Sequence, residues 1–193
     1  MSTSHGGPGR HREAAGKARV LAGTLPGLLR LAGRTVVVVV DPGLLGSGRL
    51  AESFAQDVAF LRTVGVRVVV WTASRCAAAE ELPARVSAHG PPAAGLLGTD
   101  PGTVRALLDG GRVPVLYGPP DPAGTGPVSL AAALAADEVA VVTGREDAGR
   151  AAAPGAPRVV DGRVPHALLI DLCRLEDHRG PRTEDGPESG SEA

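Results

Sequence analysis

The chain has 193 residues, enough for one domain with a buried core. Its formal net charge of −1 argues against nucleic acid or an anionic membrane as a partner. Hydrophobic residues make up 43% but aromatics only 2%, so the core must be built from Val, Leu and Ala, and 27 Gly and 17 Pro favour frequent turns. Arg greatly outnumbers Lys and Asn is absent, a bias that a GC-rich genome produces on its own.

Residues 1–12 are polar and are expected to be a disordered arm, as are residues 179–193 at the other end. The beginning, Met1-Ser2-Thr3-Ser4-His5, has no apolar stretch of the kind a signal peptide needs, and no run is long enough to span a bilayer. Cys76 and Cys173 form no CxxC and read as small core residues of a cytoplasmic protein. Residues 13–178 are expected to form a single domain.

Thr35–Val40 is a continuous β-branched run, typical of a strand buried on both faces. Leu50, Phe54, Val58 and Leu61 follow at helical spacing, and Gly65 stops that helix. Val66–Trp71 reads as a second buried strand, adjacent to and parallel with the first. Ala77–Ser87 reads as a helix interrupted near Pro83. Ala93–Leu97 is a short third strand. Asp100-Pro101 is an N-cap followed by Pro at the first helical position, with the helix running to Asp109 and ending at Gly110-Gly111. Val113–Tyr117 is a fourth strand, weakened by Pro114. After a loop from Gly118 to Gly126 come a helix at Leu130–Ala136 and a fifth strand at Val139–Thr143. A Gly/Ala/Pro loop fills residues 144–157, followed by a short sixth strand at Arg158–Val160 and a last helix at Pro165–Leu175. Strands alternating with helices imply an α/β fold with an open, mostly parallel sheet sandwiched by helices.

Several segments resemble N-acetylglutamate kinase, a member of the amino acid kinase family. Lys17-Ala-Arg-Val-Leu, Leu25-Pro-Gly-Leu-Leu-Arg and Gly33-Arg-Thr-Val-Val-Val are similar to its lead-in to the first strand. Phe54-Ala-Gln-Asp-Val-Ala-Phe-Leu-Arg-Thr-Val-Gly-Val-Arg-Val-Val-Val resembles its first helix and second strand. Leu107-Leu-Asp-Gly-Gly-Arg-Val-Pro-Val, Leu130-Ala-Ala-Ala-Leu-Ala-Ala-Asp-Glu-Val and Val160-Asp-Gly-Arg-Val-Pro-His-Ala-Leu-Leu resemble later junctions in the same order. The resemblance implies an amino acid kinase-like sandwich. It also implies a chain that is shortened, since the family enzyme is substantially longer.

Phosphoryl transfer needs cations and backbone donors around spreading negative charge. The resemblance implies a Lys at the end of the first strand, leading into a glycine pair. Here that position falls at or near Val40, followed by Asp41-Pro42-Gly43. Valine cannot bind phosphate, Pro42 has no N–H, and Asp41 adds a negative charge where anions would meet. The family's second strand opens into a Gly-rich loop; here Val70 is followed by Trp71-Thr72-Ala73-Ser74-Arg75, where Cβ atoms crowd the turn. The family's Asn-Ala-Asp is matched by Pro122-Ala123-Gly124. Its late lysine has no counterpart in residues 144–157, and the only lysine in the chain is Lys17. The segment between Arg85 and His89 is also shorter than in the family, which removes the substrate-gripping Arg. Loss of catalysis is therefore expected, with no cofactor.

Gly43-Leu-Leu-Gly46-Ser-Gly48-Arg49-Leu50 has the outline of a P-loop between a strand and a helix. Arg49 replaces its Lys and Leu50 the hydroxyl that would hold magnesium. A glycine-rich connection is the simpler reading. Gly43, Gly46, Gly48 and Arg49 are nevertheless the candidates for a phosphate at the helix N-terminus, joined by Arg75 as a cation. His166 and Glu176 fall near positions that bind the feedback inhibitor arginine in some family members. His5, His11, His89 and His178 show no metal spacing, and no nucleophilic triad is visible.

Three readings of function follow: a non-catalytic kinase-like protein that acts through a partner kinase, linked to arginine biosynthesis; a residual acetylglutamate kinase or nucleotide-binding enzyme using Mg-ATP; and a decayed duplicate without a role. Leu21, Leu25, Leu28 and Ala32 form an apolar stripe, with Pro26 kinking the helix after Thr24. The stripe packs on its own domain or on another subunit. The partner expectation is self-association, or association with an active acetylglutamate kinase, through residues 12–32.

Overall fold

The structure, a computed structural model, describes residues 27, 29–118, 126–145 and 157–173. The run Thr35–Val40 forms strand β1, and Val36, Val37 and Val38 have no exposed surface. A strand this apolar is stable only when hydrogen-bonded on both sides and covered on both faces. The fold supplies that: β1 pairs in parallel with β2 (Arg67–Thr72) through Val38↔Val70 and with β5 (Glu138–Thr143) through Val38↔Ala140. The full order is β3-β4-β2-β1-β5-β6, with β3 at Ala93–Leu97, β4 at Val113–Tyr117 and β6 at Arg158–Asp161, and every pairing is parallel.

Parallel pairing requires crossovers, and the helices provide them. Helix α1 (Pro42–Leu45) is a single turn, and α2 (Gly48–Thr63) carries the chain from β1 to β2. The remaining helices are α3 (Ala77–Ala88), α4 (Pro101–Asp109), α5 (Pro127–Ala133) and α6 (Ala167–Cys173). Alternate strand residues face opposite sides. Val36, Val38, Val68, Val70 and Val142 pack under α2, α3 and α6. Val37, Val69, Trp71 and Leu116 pack under α4 and α5.

The α2 helix ends through Val64 at Gly65, whose φ of 93° favours glycine. Asp100 caps α4, its carboxylate accepting from Thr103 N at 2.8 Å, with Pro101 in the first turn. Pro114 is accommodated inside the sheet for a geometric reason. Val113 N donates to Pro92 O and Gly118 N to Thr72 O, so even-numbered amides of β4 face β2. The β2–β4 register begins only at Val115, so the missing N–H of Pro114 precedes the ladder.

Five expectations need correction. Pro83 does not interrupt its helix: α3 runs unbroken from Ala77 to Ala88. The cost of Pro in a helix interior, about 3 kcal/mol, is outweighed because Ala79, Leu82 and Val86 on either side of it are fully buried. The fifth helix starts at Pro127 and stops at Ala133, because Ala135 turns left-handed at φ 51°. The last helix begins at Ala167 rather than Pro165, because His166 is left-handed at φ 59°. At the end of the N-terminal arm, residues 29–31 are helical, and Leu31 is buried while Leu29 and Ala32 are exposed. Ala32 lies beyond that helical turn, so it is not part of a buried stripe. Leu21, Leu25, Pro26 and Leu28 lie outside the described residues, as do both terminal segments expected to be disordered. Cys76 and Cys173 are each half-buried, not fully enclosed.

Candidate functional site

In a doubly wound sheet, a crevice opens at the carboxyl ends of the strands where the winding direction reverses. Here the chain winds from β1 through β2 to β3 on one side of β1, and β5 and β6 lie on the other. The carboxyl ends of β1 and β5 therefore flank the place where a ligand would enter. The sequence places its phosphate candidates at this end.

Side chains and amides of the described residues take up part of that place. Asp41 N donates to Val142 O at 2.9 Å, which ties the end of β1 to β5. The Asp41 carboxylate then accepts from Gly43 N at 2.9 Å and caps α1, so one of the amides available to an anion is already engaged. Pro42 contributes no N–H. Leu44 of α1 lies over the ends of β5 and β6. A Cβ built on Gly144 would meet Leu44 Cδ2 at 3.3 Å. One built on Gly162 would meet Val142 Cγ1 at 2.8 Å and overlap Leu44 Cδ1 more severely still. Gly144 and Gly162 thus leave room for the Leu44 side chain, and the leucine takes the space.

The candidate phosphate residues are gathered at this edge but do not wrap an anion. Gly43 is inside α1, Gly46 is its C-cap, and Gly48 and Arg49 open α2 and are exposed. Ser47 occupies the N-cap of α2 without a side-chain hydrogen bond. Arg75, past the end of β2, is exposed and ion-paired to Glu80 of α3. Close by, burial and then the Glu80 charge push the Tyr117 phenol above its usual range. In the turn after β6, the Arg163 guanidinium binds both carboxylate oxygens of Asp161 and holds that carboxyl below the usual range.

The second candidate, His166, joins a constellation that its own segment does not announce. Asp57 of α2 is 2% exposed, and its Oδ1 lies 2.7 Å from His166 Nδ1. The other oxygen, Oδ2, accepts from Leu169 N at 3.3 Å, in the first turn of α6. His166 N donates to Ser53 Oγ at 2.7 Å. Burial pushes the Asp57 carboxyl above its usual range, and the hydrogen bond from His166 opposes that shift. Leu50, Phe54, Val142 and Gly162 complete a cleft of about 20 Å³ beside this pair, room for one water. Glu176, the other effector candidate, lies outside the described residues. Ser53 and Asp57 were not anticipated. In sequence they are two polar positions on an amphipathic helix, and only the tertiary contact gives them a role.

Among the described residues, no group of three or more His, Cys, Asp and Glu side chains is placed to hold a metal. No described helix is long and apolar enough to cross a membrane.

No family model matches the chain. It is similar to the acetylglutamate kinase of Acidiphilium cryptum, 46% identical over 61 residues, 32% of this chain and 20% of the relative. It is likewise similar to that of Granulibacter bethesdensis, 47% identical over 57 residues, 30% of this chain and 19% of the relative. These matches span about a fifth of the relatives' length. A longer match, to the acetylglutamate kinase of Beutenbergia cavernae, is 27% identical over 283 aligned positions, 86% of this chain and 91% of the relative. That alignment is longer than the chain, so it must open gaps in it. Among solved structures, N-acetylglutamate synthase from Neisseria gonorrhoeae, complexed with coenzyme A and L-arginine, aligns with a TM-score of 0.48 and 16% identity. The alignment covers 70% of this chain and 49% of that one.

If Leu44 and the two glycines are one packing unit, Gly162→Ala should destabilise the protein by about 1–3 kcal/mol, the usual range for overpacking. Adding Leu44→Ala should recover part of that loss. A double-mutant cycle of urea unfolding checks this: the two substitutions should be strongly non-additive, and simple additivity would separate Leu44 from Gly162.

Proposed function

We propose that this chain is a non-catalytic relative of acetylglutamate kinase that acts through contact with an active kinase, in the setting of arginine biosynthesis. The observation that carries the reading is the end of β1. The kinase resemblance asks for a lysine and free glycine amides there. This chain has Val40, then Asp41 accepting from Gly43 N, then a proline, with Leu44 seated over Gly144 and Gly162. Losing one transition-state donor costs about 3–4 kcal/mol in well-studied hydrolases. The missing lysines, the crowded turn after β2 and the occupied crevice act together against the same charge. Similarity to acetylglutamate kinases along the chain supports the relationship, and the gaps in the long alignment fit a protein that has shed segments.

The direct test is turnover. Protein free of host kinase should form no acetylglutamyl phosphate from Mg-ATP and acetylglutamate, and calorimetry should register no micromolar affinity for Mg-ATP. ATP turnover that depends on acetylglutamate would refute the proposal in favour of a residual enzyme. Micromolar binding would move the N-terminus of α2 to first place as a phosphate site. Gly48→Val tests that site cleanly, because a Cβ at Gly48 meets nothing within 4 Å.

The partner half of the proposal is tested separately. Leu31 belongs to the core, so a deletion must stop before residue 27 to leave the fold intact. Removing residues 12–26 should shift the protein to monomer in sedimentation, or abolish co-purification with the active acetylglutamate kinase. A full-length protein that is already a clean monomer and captures no kinase contradicts the partner reading and leaves the decayed duplicate.

A further inference from the structure

We propose that Asp57 and His166 form a proton-operated latch that fastens α6 to α2 and tightens as the solution becomes more acidic. The first turn of any helix presents amides that need acceptors. α6 does not meet this need from the residues next to it: the residue before it is His166, and an acceptor for Leu169 N comes from Asp57, 112 residues earlier. The carboxylate sits at the positive end of the helix dipole, which favours its charge. It is also almost fully enclosed, which does not. The imidazole is the group that answers this conflict. His166 adopts a left-handed backbone, uncommon for a side-chain-bearing residue, and Ser53 Oγ holds its N–H there. That conformation accompanies the contact of Nδ1 with Asp57 Oδ1.

The two partners differ in access to water: the His166 side chain is 49% exposed and that of Asp57 is 2% exposed. A proton can therefore reach the imidazole without any opening of the core. Neutral histidine gives the carboxylate one hydrogen bond, whereas protonated histidine gives a charge-assisted one beside a poorly solvated anion. Burial also raises the proton affinity of the Asp57 carboxyl itself. The sign follows by linkage. A group that holds its proton more tightly folded than unfolded, as the buried Asp57 carboxyl does, adds stability on the acid side that is lost as pH rises through the folded-state titration.

The other ionisable groups of the surrounding elements have their own environments. Cys173 of α6 is pushed up by burial and by the Asp57 charge. Asp171 of α6 pairs with Arg158 of β6, which also lies 3.6 Å from Glu138 of β5. Asp161 and Arg163 of the intervening turn pair with each other. On α2, Glu52 faces Arg85 and His89 of the α3 side, and Arg62 donates to Gly111 O. Arg30, in the helical turn before β1, has an interaction of its own.

The test is the urea midpoint of the full chain as a function of pH, over the range of about 5 to 8 in which histidine commonly titrates. It compares wild type with His166→Asn, which tolerates the left-handed backbone and can still donate to Asp57 but cannot take a proton. The wild-type midpoint should rise as the pH is lowered, and His166→Asn should lose most of that rise. His89→Asn, which removes the other carboxylate-paired imidazole among the described residues, should leave the difference between wild type and His166→Asn in place. Equal slopes in wild type and His166→Asn overturn the proposal. A wild-type midpoint that falls with acidity across this range overturns it without recourse to any variant.

Discussion

A parallel strand hydrogen-bonded on both sides and covered on both faces has no room for a charge, and β1 is such a strand. Its neighbours β2 and β5 are nearly as apolar, so the centre of the sheet is a slab of valine with Trp71 as its one large aromatic side chain. That slab fixes where chemistry can take place. Polar groups are expelled to the carboxyl ends of the strands, and the end of β1 becomes the point at which any ligand of this fold would have to be met. What stands there in this chain is Asp41, Pro42 and a short helix. What this edge of the sheet can bind depends on how those residues use the space.

The space is used for packing. An acetylglutamate kinase-like chemistry would need open amides and cations around an anion, held in a site that stays vacant until substrate arrives. Here one amide is spent on Asp41, and Leu44 lies against glycines from two other segments. A packed leucine stabilises the fold by the ordinary route of burying apolar area. It does so at the position where vacancy would be needed for catalysis. Val40 at the end of β1 and Leu44 over Gly144 and Gly162 are separate features, and both place apolar side chains at the carboxyl edge of the sheet.

Much of the sheet was legible in the sequence because burial on both faces leaves a simple signature. Thr35–Val40 needs no context to be read as a central strand, and Asp100-Pro101 needs none to be read as a helix start. Pro83 was misread because proline's local cost is visible in sequence while the burial of Ala79, Leu82 and Val86 is not. The same asymmetry explains the candidate site. Gly43, Gly46, Gly48 and Arg49 were identified as a cluster because they are contiguous. The residues that decide what the cluster can do, Gly144 and Gly162, are about a hundred positions away and carry no side chain to attract notice. His166 stands out only through the family resemblance of its segment, and Asp57 and Ser53, which hold it, look like two polar positions on an amphipathic helix. A contact spanning 109 residues of sequence cannot be read from periodicity.

Leu44 packs on Gly144 and Gly162 at the carboxyl ends of β5 and β6, beside the crevice that opens past β1, and methyl NMR reads this directly. With leucine methyls labelled, Leu44 should show cross-relaxation to the α-protons of Gly144 and Gly162, and these contacts should persist unchanged with saturating Mg-ATP and acetylglutamate present. Loss of those contacts on adding nucleotide and substrate, with new contacts from Leu44 to either ligand, would show that the crevice opens and would contradict the account.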